Sequence, residues 1–173
     1  MGSAARTKHF VYLALLSAMA ITLSLIESMY IGAVFYMVRI GLANIVALVT
    51  IKLLGVKDMI IVNAMRVVIA NLMRGLIFGS TFWISLGGVI LSSIVLIVLD
   101  KIRSSLMFTS IMSAIAHSGG QVIIVMLFYM QPRIAVILPY LLAGSIPMGI
   151  LTGIVARMVL ARIKPLRKEI EVN

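Results

Sequence analysis

The chain has no cysteine, four prolines, one tryptophan and only five acidic residues in 173 positions. Without cysteine there are no disulfides, no thiolate metal sites and no cysteine nucleophile, and the redox compartment stays open. The scarcity of acids excludes more. Glu27, Asp58, Asp100, Glu169 and Glu171 supply no paired carboxylates for acid–base work and no metal-ligand set. A GxxxxGK[ST] phosphate loop is also missing, so ATP hydrolysis by that route is excluded. No G-x-S-x-G element occurs. The expectation is a protein that is not an enzyme, with no catalytic residue, cofactor or metal.

Hydrocarbon is what the chain has in excess. It is 62% hydrophobic, with a mean hydropathy of +1.20, where soluble domains run about 45–50% apolar. Charged residues are 12%, against a usual ~25%. A core of this length cannot hide that much apolar surface, so the solvent is expected to be lipid. Six apolar runs approach the ~20 residues a spanning helix needs, over about 10–28, 37–54, 59–77, 82–99, 107–129 and 135–160. Barrel strands would alternate over about ten residues, and these runs do not. The expected fold is an all-α integral membrane protein with six transmembrane helices. A short N-terminal tail (1–9) precedes the membrane domain (10–160), and a solvated basic tail (161–173) follows it. Met1-Gly2-Ser3-Ala4 has the look of a tag scar. The first apolar run lacks a clear small-residue cleavage site and is expected to be retained.

Breaks fall at 52–58, 79–82, 100–105 and 131–133, with Ser80 placed to cap the fourth helix. The longest break, 26–37, is itself apolar and reads as an interfacial loop or as the start of the second span. With the N-terminus inside, eleven of the fifteen lysines and arginines fall on inside segments. That asymmetry places both termini in the cytoplasm. It also accounts for most of the formal net charge of +10 as a topology signal at the lipid surface, and no nucleic acid is expected as a partner.

Four arginines remain outside that scheme: Arg39, Arg66, Arg74 and Arg133. An arginine at the centre of a span costs about 2.5–3.5 kcal/mol on insertion scales, and Arg66 lies about 12 Å into the third run at 1.5 Å per residue. Asn63, Arg66, Ala70 and Arg74 share one helical stripe, with Asn71 about 100° away from Ala70. Four of the five acids belong to cytoplasmic segments, which leaves Glu27, at the outer end of span one, to face three arginines. An outer cationic cluster of that kind awaits an anion or a strongly hydrogen-bonding solute, with lipid headgroups as the plainer alternative. A second polar cluster is "AHSGGQ" (116–121), where His117 and Gln121 share a face and Gly119 and Gly120 permit close approach. A third is "RIGLAN" (39–44), with Arg39 and Asn44. The candidate solute-binding residues are therefore Arg66, Arg74, Asn63, Asn71, His117, Gln121, Arg39, Asn44 and Glu27. Tyr30, Phe35, Tyr36, Phe78 and Trp83 would suit an aromatic ring system instead.

Small residues make two ridges. Ala14 and Ala18 open span one, followed by Ala20, Ser24 and Ser28, while Ser145, Gly149 and Gly153 line span six. Each suits packing within the chain or docking to a partner helix. Pro139 and Pro147 are expected to start or kink the sixth helix.

Three stretches resemble a known family. "MVRIGLANIV" (37–46) is similar to the "KLGLANI" signature of the Gx transporter family, whose members are often labelled heptaprenyl diphosphate synthase component I. The Arg66 segment with Gly75 and Gly79, "SLGGVILS" (85–92) and "AHSGGQ" follow in the family's order, over about residues 10 to 160. Arg39 stands where the family has lysine, and Ser118 and Gly119 depart from its pattern. The family in turn resembles the substrate-binding S components of energy-coupling factor (ECF) transporters. That likeness implies six helices, an outward solute site for a small, possibly anionic molecule, and a coupling subunit and ATPases on other chains. Ala14 and Ala18 match the family's pattern for contact with the coupling subunit. A non-catalytic accessory role in isoprenoid or quinone metabolism is the alternative, because magnesium-dependent prenyl elongation needs aspartate-rich motifs and Asp58 and Asp100 stand apart.

Overall fold

The computed structural model describes the backbone of residues 3–31 and 41–172, and the side chains of 6–29, 41 and 43–163. Among these residues every regular element is helical. In chain order they are α1 (Ser3–Ile26), a π-helical turn (Glu27–Ile31), α2 (Leu42–Leu53), α3 (Val56–Met73), α4 (Ser80–Lys101), α5 (Leu106–Tyr129), a 3₁₀ segment (Pro132–Ile137) and α6 (Leu138–Val172).

Among the described residues the helices overlap the six apolar runs, but only four stretches are suited to cross a bilayer alone. Four stretches are long and apolar enough: Arg6–Met29, Ser80–Lys101, Leu106–Tyr129 and Pro132–Ile163. The 12-residue α2 is about 18 Å long against a hydrocarbon core of about 30 Å. The 18-residue α3 carries Lys57, Asp58 and Arg66. Both are instead lodged among their neighbours. Residues 45–51 of α2 are all buried, and α2 touches α1, α3, α5 and α6.

Two groups of three helices result. α1, α2 and α3 pack on one another, α4 packs on α5 and α5 on α6, and the groups join where α2 meets α6 and α3 meets α4. The main core gathers Leu16 and Ala20 of α1, Val46–Val49 of α2, Met59 and Val62 of α3, Leu96 of α4, and Ala156 and Leu160 of α6. The outer faces stay apolar: Phe10, Leu15, Met19, Val68, Leu72, Ile90, Ile94, Leu127 and Ile154 are all exposed. Faces of that composition need lipid rather than water around them.

Glycine sets the tightest crossings. A Cβ on Gly120 would lie 2.5 Å from the Gly87 carbonyl oxygen, so α4 and α5 meet backbone to backbone. A Cβ on Gly149 would lie 2.6 Å from the Ile111 Cα. The span-six ridge is thus internal packing. Its polar members are satisfied there: the Ser110 hydroxyl donates to the Gly149 carbonyl at 2.7 Å and meets Thr152 Oγ1 at 2.8 Å, and the Ser118 and Ser145 hydroxyls lie 2.6 Å apart. The first α1 pair behaves differently. Ala14 and Ala18 lie on the exposed face, whereas Ala20 is fully buried.

One local expectation is corrected and one is met. Ser80 is the first helical residue and Gly79 holds the cap position without a side-chain bond, while Ser105 caps α5 by accepting from the Phe108 amide. Pro139 is the second residue of α6, but Pro147 lies well within it and the helix continues to Val172.

Ionic contacts mark one end of the bundle. His9 Nε2 lies 2.9 Å from Asp58 Oδ2, and Lys52 Nζ lies 2.5 Å from Asp100 Oδ1. The start of α1, the α2–α3 junction and the end of α4 therefore share a level. The opposite end holds the cavity.

Candidate functional site

At that opposite end, three local devices place the polar groups. The first is the C-terminus of α3. Gly75 takes a left-handed φ of 67°, and the amides of Gly75 and Leu76 donate to the carbonyls of Leu72 and Asn71 at 3.0 and 2.9 Å. This paired closure stops the helix and leaves Asn71 and Arg74 in its last turn. Asn71 Nδ2 donates to the Val67 carbonyl at 2.7 Å, which turns its Oδ1 outward to accept from Arg74 Nη2 at 2.6 Å. Arg74 Nε donates to the Ala70 carbonyl at 3.2 Å. Arg74 is therefore folded onto its own helix end, where a cation is favoured, rather than extended to headgroups.

The second device is the exit of α1. A π-helical turn at Glu27–Ile31 follows α1, a geometry common at functional sites, and Glu27 is buried there at 8% exposure. Its Oε1 accepts from the Gly41 amide at 2.6 Å. Gly41 has φ 72° and precedes α2, a conformation that favours glycine. One carboxylate thereby ties the end of α1 to the start of α2.

The third is Asn44 in the first turn of α2, whose Oδ1 accepts from Arg66 Nη1 at 3.3 Å. Arg66 itself is buried at 4% exposure. On α5, His117 and Gln121 pair through Nε2 atoms at 3.2 Å, against the glycine notch of α4: a Cβ on Gly88 would lie 2.8 Å from Gln121 Cγ and 3.0 Å from His117 Cε1.

These groups surround one cavity of about 40 Å³. Its lining includes Glu27 of the π-helical turn, Asn44 of α2, Arg66, Asn71 and Arg74 of α3 and His117 of α5 from the sequence-derived set. Among the described residues, two expected ones are not in it. Asn63, on the Arg66 stripe, lies deeper, where its Nδ2 donates to Ser93 Oγ at 2.9 Å and contacts Met59 Sδ. Gln121 stands behind His117. Arg39 lies outside the described residues, as do Phe35, Tyr36 and the Tyr30 side chain. Phe78 and Trp83 make an edge-to-face cluster with Phe82, but both are exposed at 70% and 41% and face outward, so they offer the cavity no stacking platform.

Sequence reading missed Ser24, Ser28 and Ser85, which line the cavity. The first two looked like members of a packing ridge, and a serine in a span carries no charge signal. Chemically, the lining combines one carboxylate, two guanidiniums, two amides, an imidazole and hydroxyls. It can hold a polar or anionic group by several hydrogen bonds at once, with charge-assisted bonds as the strongest. Among the described residues no group of three or more His, Cys, Asp or Glu is placed to bind a metal ion.

A family model described as heptaprenyl diphosphate synthase component I covers residues 16–159. No curated protein and no solved structure matches the chain.

Proposed function

The chain belongs to the heptaprenyl diphosphate synthase component I family, and from that premise we propose that it is the solute-binding membrane subunit of an uptake system, similar to ECF S components. The carrying observation is the convergence of Glu27, Asn44, Arg66, Asn71, Arg74 and His117, from the π-helical turn, α2, α3 and α5, on one cavity. Buried intramembrane charge is expensive and marks function by default, and two guanidiniums beside one carboxylate favour an anionic or strongly polar solute. In this reading α2 and α3 cross the membrane sheltered by their neighbours, giving six crossings with both termini cytoplasmic and the cavity in the outer half. The chain itself is not an enzyme. Energy comes from separate ATPases through a coupling subunit that docks on the exposed α1 face at Ala14 and Ala18.

The cavity's size adds a requirement. About 40 Å³ holds a few waters at ~10–15 Å³ each, while small-molecule sites run about 300–1,000 Å³. The structure thus corresponds to a contracted site, and capture of a solute requires the Arg66–Asn44 or Arg74–Asn71 bond to open.

The test is thermal shift and native mass spectrometry of the purified protein with water-soluble vitamins, their anionic precursors and quinone precursors. One class should stabilise the wild type, and Arg66→Ala should abolish the shift while helix content is kept. A full panel without a shift would remove the main support for solute capture.

A second reading follows from the family's description, in which "component I" denotes one part of a multi-component system. Here the chain is a non-catalytic accessory subunit of a prenyl synthase or redox complex. Copurification separates the two. Recovery of ATPases with a coupling subunit, lost in Ala14→Leu/Ala18→Leu, supports uptake, whereas recovery of a soluble prenyl synthase supports the accessory role.

A further inference from the structure

The larger cavity lies at the other end of the bundle. A groove of about 420 Å³ opens between the first turn of α5 and the end of the apolar part of α6. Leu106, Met107, Leu160 and Ala161 make its apolar wall, and Ser105 and Arg157 supply its polar edge. Gly153 forms its inner wall, packed closely on Met107, since a Cβ there would lie 2.8 Å from Met107 Sδ. Arg157 is exposed. Both carboxylates known at this end are engaged elsewhere, Asp58 by His9 and Asp100 by Lys52. Lys101 and Arg103 precede α5 and Arg162 follows on α6. The groove is therefore an apolar slot edged by one exposed cation, Arg157, with no acid in its lining.

We infer that this groove binds one anionic phospholipid, with its phosphate at Arg157 and the upper part of an acyl chain along Leu106, Met107 and Leu160. Charge selects the occupant: basic pockets between membrane helices suit anionic headgroups, which are enriched at the cytoplasmic leaflet, and the apolar wall suits the chain that a free phosphate lacks. The site is separate from the outer cavity, and its success or failure is independent of solute capture.

Native mass spectrometry of the detergent-purified protein, with added phosphatidylglycerol or phosphatidylcholine, tests it. One phosphatidylglycerol should be retained at least tenfold better than phosphatidylcholine. Arg157→Gln should lower phosphatidylglycerol retention to the phosphatidylcholine level, and Ala161→Phe, which fills the slot and leaves the charge, should do the same. Arg103→Gln, off the groove, should change retention less than twofold. Equal retention of the two lipids overturns the inference, as does unchanged retention in either groove variant. Displacement of the lipid by millimolar inorganic phosphate also overturns it, because the site would then read phosphate alone.

Discussion

Glu27 shows how much one side chain can organise. Its Oε1 reaches the Gly41 amide at 2.6 Å, a hydrogen bond to a charged group of the kind that contributes about 1.5–3 kcal/mol. Glu27→Gln keeps an acceptor and loses the charge, while Glu27→Ala strands a donor at the entry of α2. Thermal unfolding in detergent should therefore rank wild type above Glu27→Gln and Glu27→Ala lowest, with the alanine variant down by about 1–3 kcal/mol. Equal loss in both variants would show that the charge and not the acceptor matters. Arg66 and Asn63 make the complementary point. Both are buried on one stripe of α3, and one reaches the cavity while the other, three residues deeper, meets Ser93 on α4. Helical spacing named the stripe; it did not say where along the stripe the neighbouring helix closes in.

At the scale of elements, the glycines discriminate contact from space. Gly119 and Gly120 are adjacent in sequence and alike in any composition count. Yet a Cβ on Gly119 would find only Leu91 Cδ2, at 4.0 Å, while one on Gly120 would press on the Gly87 backbone at 2.5 Å. Gly120→Ala should cost about 1–3 kcal/mol by overpacking and loosen α4 from α5. Gly119→Ala should be neutral or stabilise by about 0.5–1 kcal/mol through helix propensity. Thermal melts of the two variants side by side check this, and similar melting would contradict the backbone contact. The α5–α6 seam is held more softly. Ser110→Ala loses the bonds to Gly149 and Thr152, and in a membrane protein such a loss should cost only about 0.6 kcal/mol, visible as a small drop in melting temperature.

For the whole molecule, the absence of cysteine becomes an experimental advantage. Single cysteines at Arg103, next to the ionic end, and at Phe78, an exposed residue at the cavity end, can be labelled in intact cells with a membrane-impermeant maleimide. The six-crossing reading expects Phe78→Cys to be labelled in intact cells and Arg103→Cys only after lysis. Labelling of both from outside would reject that topology. The two ends also differ in chemistry: one is cross-tied by His9–Asp58 and Lys52–Asp100, and the other gathers polar groups around the cavity.

The helical class and the four stretches long and apolar enough to cross a membrane were readable from the chain alone. Hydropathy and charge act residue by residue against the solvent, so their sums along a segment need no partner. The presence of a polar cluster around Arg66 was readable for the same reason, since a charge within an apolar run stands out without a structure. Which polar residues share the cavity was decided only by tertiary contact. Asn63 is claimed by Ser93, Gln121 stands behind His117, and Ser24, Ser28 and Ser85 enter the lining because their helices happen to converge there. The burial of α2 belongs to the same class. Its 12 residues are too few to span alone, and only the helices packed around it give it a place in the bundle.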